Sequence, residues 1–363
     1  MRANPRHGQA PGDGEDLTAG QLEGLKLEGG WTVTERMRLR ESTGGNFSVG
    51  YTVLAEDGRE AFLKAIDLSR ALRASDVTAA LESLTTAFNF ERDLLRECSD
   101  AHLTRVVDLL GYGTVPAEAV DGQVPVPYLI LEKADGDIRQ HLARVSDRID
   151  TAYCMRTLHH VAVALQQMHG KGIAHQDVKP SNVLVFGRQG SKIGDVGSAS
   201  RRGVSSPRDH LRWAGDRRYS PPEVLYEEPG SGWEFRRRAC DLYQLGSMAT
   251  FFLVGTGMTP LLMGNVDPTH APETWGGDYA GVLPHLQYAF SRAILTVRDN
   301  TPPELGDGLV EAIRQQCEPN PQERGHPRSK LGVGSQYSVE RYVSLYDRLA
   351  KEAEIRLRTE LSA

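Results

Sequence analysis

The sequence predicts an α+β protein built from two lobes. Short apolar runs separated by turn-forming residues extend from Trp31 to Asp67, a pattern typical of antiparallel strands. Apolar residues at helical spacing follow from Asp76 to Cys98, and a second strand region comes after them. Beyond residue 150 the pattern is mostly helical. We therefore expect a small, β-rich N-terminal lobe with one main helix, then a larger, mainly helical lobe.

Local signals justify the individual elements. The segment EDG at residues 56–58 lies between two apolar runs and predicts a hairpin. The second strand region covers about 106–132, and apolar residues from Leu158 to Met168 predict a helix that ends at Gly170. Short strands are expected in NVLVF and SKIGD, at 182–186 and 191–195. The apolar stretch 249–264 is interrupted by glycine and proline and predicts a buried helix followed by a loop.

Composition limits the class of protein. At 363 residues and 39% hydrophobic content, the chain can form one two-lobed domain or two ordinary domains. Its net charge of -6 gives no general basic surface for nucleic acid or anionic membranes. No apolar stretch is long enough for a membrane span. The four cysteines lack metal-ligand spacing and the first residues lack a secretory signal, so we expect a cytoplasmic protein with reduced thiols. Residues 1–25 predict a flexible tail.

The strongest chemical signal is the segment HQDVKPSN, from His175 to Asn182, followed by Asp195 in DVG. Phosphoryl transfer needs a carboxylate to orient the acceptor hydroxyl, a cation for the phosphate, and oxygen ligands for magnesium. This segment resembles the protein kinase family, in which HRDLKPxN and DFG are usual. A lone HxDxxxxN is also used by small-molecule phosphotransferases, so the downstream motifs decide between these classes.

Three downstream features resemble protein kinases. The run SPPE, ending at Glu223, is similar to the APE end of the activation segment. Asp241 resembles the buried aspartate that anchors the catalytic loop, and Arg324 resembles the arginine that pairs with Glu223. The resemblance covers roughly residues 31–349.

The resemblance implies an active serine/threonine protein kinase with a bilobal fold and an ATP cleft between the lobes. It places the N-lobe at 26–133, the C-lobe at 134–350, and the end of the C-terminal helix at 351–363. It implies ATP and Mg²⁺ as cofactors, Asp177 as catalytic base and Lys179 as the phosphate contact. The implied nucleotide-binding residues are Gly44, Gly45, Phe47, Ser48, Lys64, Glu91, Glu132, Ala134 and Leu184, and the implied metal ligands are Asn182 and Asp195.

Two assignments in the N-lobe carry alternatives. Lys64 resembles the lysine that contacts the ATP phosphates, and its acidic partner is assigned to Glu91, with Glu82 and Glu97 as alternatives. The long separation between Lys64 and Glu91 predicts an extra helix before the main one.

Phe62 stands where the family usually has an alanine, and Gly50 stands where it usually has a valine. We expect Phe62 either to pack over the adenine or to lie in the lobe core.

Several departures from the family pattern bear on activity. Gln176 replaces the arginine that clamps a phosphorylated activation segment, so we expect activity without a phosphate on Ser205 or Ser206. Asp216 replaces a bridging threonine or serine; it can pair with Lys179 but can also repel Asp177 and raise a pKa. A pseudokinase that only binds nucleotide or partners is therefore the alternative.

The family resemblance and the arginines of the activation region bear on the partners. The resemblance implies a protein substrate, and arginines in and after the activation region favour an acidic or phosphorylated one unless they pair with local acids. We expect neither nucleic acid nor membrane as a partner. Residues 265–301 read as an insertion rich in loop formers, and the last, amphipathic helix is expected to pack on the lobe rather than to dimerise. The oligomeric state is left open.

Overall fold

The structure is a computed structural model that describes residues 18–37, 48–119, 122–144, 150–209, 215–228, 230, 232–332 and 336–362. The chain divides into two compact units. The first contains the described residues up to Asn89 together with Leu109–Lys133, and the second contains Phe90–Asp108 and the described residues from Ala134 onward. Residues 90–108, which the sequence assigned to the N-lobe, thus group with the second unit.

The first unit is built on a six-stranded antiparallel sheet in the order β1-β2-β3-β4-β6-β5. The predicted EDG hairpin is confirmed: Gly58 has φ 84° and its N–H donates to the carbonyl of Ala55 at 3.0 Å. The strands are β1 Lys26–Leu27, β2 Trp31–Met37, β3 Ser48–Ala55, β4 Glu60–Ile66, β5 Leu109–Ala119 and β6 Gly122–Glu132.

One face of this sheet forms the hydrophobic core of the unit. Leu63 and Tyr51, paired in register across β3 and β4, are both completely buried. Residues that precede β1 pack on this face, because Ala19 and Leu22 are also completely buried and the Tyr51 hydroxyl donates to the carbonyl of Ala19 at 2.6 Å. The predicted flexible tail over 1–25 is therefore wrong for residues 18–25, whose apolar side chains complete the core. Residues 1–17 lie outside the described residues.

The other face of the sheet carries Phe62 and Lys64. Successive residues of a strand point to opposite faces, so Phe62 and Lys64 lie on the face opposite to the buried Leu63. Phe62 pairs with Thr52 and Leu131, and Lys64 pairs with Gly50. Phe62 is thus placed with Lys64 and not in the lobe core, which removes the second of the two alternatives for this side chain.

The predicted extra helix before the main helix is present as a single turn, α1 Ser69–Leu72. The main helix, α2 Val77–Asp100, begins in the first unit and continues into the second. Glu91 lies in its second half and is buried. These two helices account for the long separation between Lys64 and Glu91.

The second unit is mainly helical, as the sequence predicts, and its described strands form a three-stranded antiparallel sheet, β10-β9-β7, and a two-stranded pair, β11-β8. A five-residue π-helical turn, Glu234–Arg238, directly precedes α6. The strands are β7 Gly136–Asp137, β8 Ile173–Ala174, β9 Val183–Phe186, β10 Gly190–Ile193 and β11 Ser200–Arg201. The helices are α3 Ile138–Arg144, α4 Thr151–Gly170, α5 Pro222–Leu225, α6 Ala239–Val254, α7 Met258–Met263, α8 Tyr279–Asp299, α9 Gly306–Cys317, α10 Pro327–Lys330 and α11 Glu340–Ser362.

The last helix and the stretches 249–264 and 279–299 can be compared with their predicted structure. α11 packs against α4, where Arg156 binds Asp347 at 2.9 Å and Glu354 at 2.8 Å, so packing of the last helix on the lobe is confirmed. The stretch 249–264 ends in the short helix α7 and not in a loop; Gly255 (φ 81°) ends α6 and Pro260 lies in the first turn of α7, where proline is tolerated. Residues 279–299 form α8, although they read as loop-rich.

All four cysteines are free and buried. Burial raises the pKa of Cys98 and Cys154 to about 12, which keeps these thiols protonated and unreactive. Among the described residues, no helix is both long and apolar enough to cross a membrane.

Candidate active site

The catalytic loop predicted from HQDVKPSN connects β8 to β9 in the second unit, and its central carboxylate is Asp177. One oxygen of Asp177 lies 2.9 Å from Nζ of Lys179 and accepts a hydrogen bond from Nδ2 of Asn182 at 3.0 Å. The other oxygen accepts the backbone N–H of Asp216 at 2.8 Å. Three donors from two loops therefore fix the orientation of this carboxylate, which is 5% exposed.

The electrostatics of this loop are set by burial and by Lys179. Burial raises the pKa of Asp177 above its usual value, and the charge of Lys179 opposes that shift. Burial would also raise the pKa of Asp216, but hydrogen bonds from Arg218 and the charge of Lys179 outweigh it and lower this pKa. The Asp216 carboxylate accepts from Arg218 at 2.9–3.3 Å and lies 3.9 Å from Lys179. Asp216 therefore holds Asp177 through its backbone N–H, and its carboxylate pairs closely with Arg218 and more loosely with Lys179.

Gly215 allows this contact between the two loops. A Cβ atom at residue 215 would lie 2.5 Å from the backbone oxygen of Gln176 and 2.7 Å from Oδ1 of Asp177. Such distances are not tolerated without displacement of backbone, so only glycine fits here. Gly215 is not among the predicted site residues, and its only signal in the sequence is a glycine directly before Asp216.

Asp241, at the start of α6, holds the backbone of the catalytic loop as predicted. Its Oδ2 accepts the N–H of His175 at 2.8 Å, and its Oδ1 accepts the N–H of Gln176 at 2.7 Å. Nε2 of His169 lies 2.8 Å from Oδ2. Burial would raise the pKa of Asp241, but the hydrogen bond and charge of His169 outweigh it and keep the group ionised. Gln176 has φ 67°, a left-handed conformation that these bonds hold in place.

Two supports of this loop were missed from the sequence. Neither His169 nor Gln244 is among the residues that the sequence predicts for this site. Gln244 accepts the N–H of Val178 at 2.9 Å and donates to the carbonyl of Gln176 at 3.0 Å. The available signal was spacing, because Gln244 lies one helical turn after Asp241 and so on the same face of α6.

The predicted magnesium ligands Asn182 and Asp195 flank the β9–β10 hairpin. Asn182 donates its amide NH₂ to Asp177, so its amide oxygen is the atom it can offer to a cation. Asp195 is solvent-exposed and has the left-handed φ of 56°. A Cβ at Gly197 would lie 3.4 Å from Asp195 and 3.6 Å from Glu91, which places Glu91 beside the DVG turn.

This oxygen donor set fits a hard cation. Mg²⁺ is usually held by one or two protein groups plus substrate phosphates and water, not by an all-protein cage. Within the described residues, no three or more His, Cys, Asp or Glu side chains are grouped to hold a metal ion.

The remaining predicted nucleotide residues are only partly described. Gly44, Gly45 and Phe47 lie outside the described residues. Ser48 opens β3, and Leu184 lies in β9 opposite Asp137. Glu132 ends β6, and the division between the two units falls between Lys133 and Ala134. The roles of these residues in binding nucleotide stay predictions.

The predicted pair of Glu223 and Arg324 is confirmed. Nη1 and Nη2 of Arg324 bind the two oxygens of Glu223 at 2.6 and 2.8 Å, and both side chains are buried. Burial would lower the pKa of Arg324, but the charge and hydrogen bonds of Glu223 raise it overall. The pair ties the end of the activation segment to the loop after α9.

The arginines around the activation segment pair locally. Arg217, for example, binds Glu273 in the segment between α7 and α8. The sequence left two interpretations of these arginines: they bind an acidic or phosphorylated substrate, or they pair with nearby carboxylates. Most of them form such pairs. The pairs are Arg201 with Glu97, Arg202 and Arg238 with Glu234, Arg217 with Glu273, Arg218 with Asp216, and Arg237 with Asp209.

Comparison with known proteins agrees with this site. Residues 42–324 match the family model of the protein kinase domain. The chain is 33% identical over 129 residues to Aurora kinase of Debaryomyces hansenii, covering 35% of this chain and 30% of that protein. It is 33% identical over 156 residues to serine/threonine-protein kinase Pkn1 of Myxococcus xanthus, covering 42% and 22%.

A third relative matches along most of the chain. This is the hormonally up-regulated neu tumor-associated kinase of Mus musculus, 23% identical over 353 residues, which cover 91% of this chain and 43% of that protein. In all three cases the chain spans less than half the length of the relative. Together with the geometry of the Asp177 loop, the Asp241 anchor and the Glu223–Arg324 pair, the family match shows that this chain belongs to the eukaryotic-type protein kinase family.

Proposed function

We propose that this chain is an active protein kinase that transfers the γ-phosphoryl group of ATP to serine or threonine hydroxyls of protein substrates. The observation that carries the proposal is the fixed carboxylate of Asp177, held by Lys179, Asn182 and the N–H of Asp216. A carboxylate oriented in this way can accept a hydrogen bond from an acceptor hydroxyl and remove its proton as the phosphoryl group is transferred.

The charges around Asp177 suit this role. Lys179 lies 2.9 Å from Asp177, so its charge favours the ionised carboxylate, and its ammonium can also contact the transferring phosphate. Because burial raises the pKa of Asp177, this group is a better proton acceptor than an exposed aspartate. The local pairing of Asp216 with Arg218 removes the main argument for impaired catalysis.

The cofactors belong to the same proposal. Asn182 and Asp195 would hold Mg²⁺, which when bound neutralises charge on the phosphates. Ser48, Lys64, Glu91, Glu132, Ala134 and Leu184 would contact or position ATP, as the family resemblance implies, together with Gly44, Gly45 and Phe47. The common face of Phe62 and Lys64 on β4 favours the interpretation that Phe62 packs over the adenine.

The test is transfer of labelled phosphate from ATP and Mg²⁺ to the chain itself and to a mixed protein pool, followed by phosphoamino-acid analysis. The proposal predicts label on phosphoserine and phosphothreonine. Label on phosphotyrosine alone would contradict the acceptor class, and label only on small molecules would make the chain a small-molecule kinase. Nucleotide binding without transfer to any acceptor would favour a pseudokinase.

A cytoplasmic location is part of the proposal, because the free, buried cysteines suit a reducing compartment. Recovery of the protein from an oxidising compartment or a membrane fraction would contradict it.

An acidic or phosphorylated substrate gains little support from the arginines, since most of them already pair with local carboxylates. Comparing acidic with neutral peptide acceptors would test this preference directly.

A further inference from the structure

A chain of polar contacts links the activation segment to the catalytic loop. Its members are Asp209 of the activation segment, Arg237 of the π-helical turn before α6, and Gln176 of the catalytic loop. Arg237 pairs with Oδ1 of Asp209 through Nη2, and its Nη1 donates to Oε1 of Gln176 at 3.3 Å. Gln176 donates in return to the carbonyl of Arg237 at 2.8 Å. The Arg237 guanidinium therefore bridges the two loops. It contacts Gln176 in one and Asp209 in the other, and these two residues are 33 positions apart in the sequence.

The carboxylate of Asp209 also orders its own loop. Its Oδ2 accepts the N–H of Ser206 at 2.8 Å, and its backbone N–H donates to the carbonyl of Ser206 at 3.0 Å. The hydroxyl of Ser206 donates to the carbonyl of Ala199 at 2.9 Å, and Ser206 is 6% exposed. Asp209 thus closes a turn whose serine is already buried and hydrogen-bonded.

The π-helical turn and the first turn of α6 contact both the catalytic loop and the loop that contains Asp209. Arg237 reaches Asp209 and Gln176, while Asp241, four residues later, accepts the backbone N–H of Gln176 at 2.7 Å. Gln176 is neutral and offers Arg237 an acceptor. An arginine at residue 176 would instead bring a second guanidinium against Arg237, and like charges repel at this distance.

We propose that Asp209 and Arg237 form a permanent anchor that orders residues 199–209 of the activation segment without phosphorylation, and that Arg237 is a positioning residue for the reaction. An ionised aspartate supplies the negative charge that a phosphorylated residue would otherwise supply, and Arg237 supplies the cation that Gln176 lacks. The effect on turnover rests on the proposed kinase activity, whereas the ordering of the segment does not.

The kinetic test compares Arg237→Ala, Asp209→Asn, the double variant, and Arg236→Ala as the control, a neighbouring exposed arginine. Each single change should lower kcat about 10- to 100-fold, because misplacing a loop by ~1 Å costs turnover, with much less effect on the KM for ATP. The double variant should lose no more than the worse single variant, since one interaction is removed in all three. Phosphatase treatment should leave wild-type kcat unchanged.

Hydrogen exchange of the amides over 199–209 tests the anchor independently of activity. Exchange there should be faster in Arg237→Ala and Asp209→Asn than in the wild type, and unchanged in Arg236→Ala. Unchanged exchange in both anchor variants, additive losses of kcat, or loss of activity on phosphatase treatment would each overturn the proposal. A wild-type protein with no transferase activity would refute the proposed function, and the exchange data would still decide whether the anchor exists.

Discussion

Replacement of Gly215 by alanine probes the contact between the activation segment and the catalytic loop. The added methyl carbon would lie 2.5 Å from the backbone oxygen of Gln176 and 2.7 Å from Oδ1 of Asp177, where ordinary contacts begin at 3.4 Å. The loops must therefore separate by about 0.7–0.9 Å, and the N–H of Asp216 moves away from Asp177 with them. Because a misplacement of ~1 Å can cost about 100-fold in rate, we expect kcat to fall by about that factor.

The assay is steady-state phosphate transfer with ATP affinity measured separately, so that a loss of turnover can be separated from a loss of nucleotide binding. Gly276→Ala is the matched control, because residue 276 is exposed and its Cβ would meet no atom within 4 Å. We expect the control to keep wild-type kcat, and Gly215→Ala to keep its ATP affinity. Wild-type turnover in Gly215→Ala would refute the close packing of the two loops as a requirement for catalysis.

Three further predictions concern single side chains. Arg324→Ala should lower the free energy of unfolding by about 3–5 kcal/mol in a urea titration, because it leaves the buried Glu223 carboxylate without its partner; a loss below 1 kcal/mol would contradict this. Burial lowers the pKa of His160 from 6.5 to about 3, so below pH 6.5 the unfolded chain gains a proton that the folded chain does not. Lowering the pH from 8 to 5 should therefore reduce the free energy of unfolding of the wild type by about 2 kcal/mol more than that of His160→Gln. Equal pH dependence of the free energy of unfolding in the two proteins would contradict this effect of His160. Asp216→Asn should keep kcat within about threefold, because the residue holds Asp177 through its backbone N–H, and a loss comparable to that of Gly215→Ala would show that the carboxylate is needed.

The sequence predicts those parts of the site whose chemistry is written in residue identity and order. Asp177, Asn182 and Asp195 stand in a compact pattern of polar residues that seldom arises by chance in an unrelated loop. Glu223 and Arg324 were predicted as a pair because each lies in a recognisable motif. For such residues the structure adds distances and burial but does not change the assignment.

Residues that act through tertiary contacts could not be predicted in the same way. His169 and Gln244 lie in helices where a polar side chain is most often solvated, and only the folded loop brings them to Asp241 and Gln176. The direction of the Asp216 carboxylate depends on Arg218, since the sequence alone allowed repulsion of Asp177 equally well. Local pairing of a charged side chain is a property of the fold and not of the motif.

Fold predictions failed where burial depends on docking of a short segment. Ala19 and Leu22 lie in a region rich in glycine and charge, so no periodicity revealed that they complete the core beneath β3.

In α8, Pro284 and several glycines nearby suggested loops, but the apolar residues from Val282 to Val297 recur at helical spacing and are buried on one face.

The most direct measurement is a single-turnover assay of phosphoryl transfer from ATP and Mg²⁺ by the wild type and Asp177→Asn, with nucleotide binding measured on the same samples. Asparagine keeps the size of the side chain and its contact with the N–H of Asp216 but cannot accept a proton. We predict transfer by the wild type, a loss of at least about 100-fold in the variant, and equal ATP binding by both. Equal transfer rates in the two proteins, or no transfer by a wild type that binds ATP, would contradict the assignment of Asp177 as the catalytic base of an active kinase.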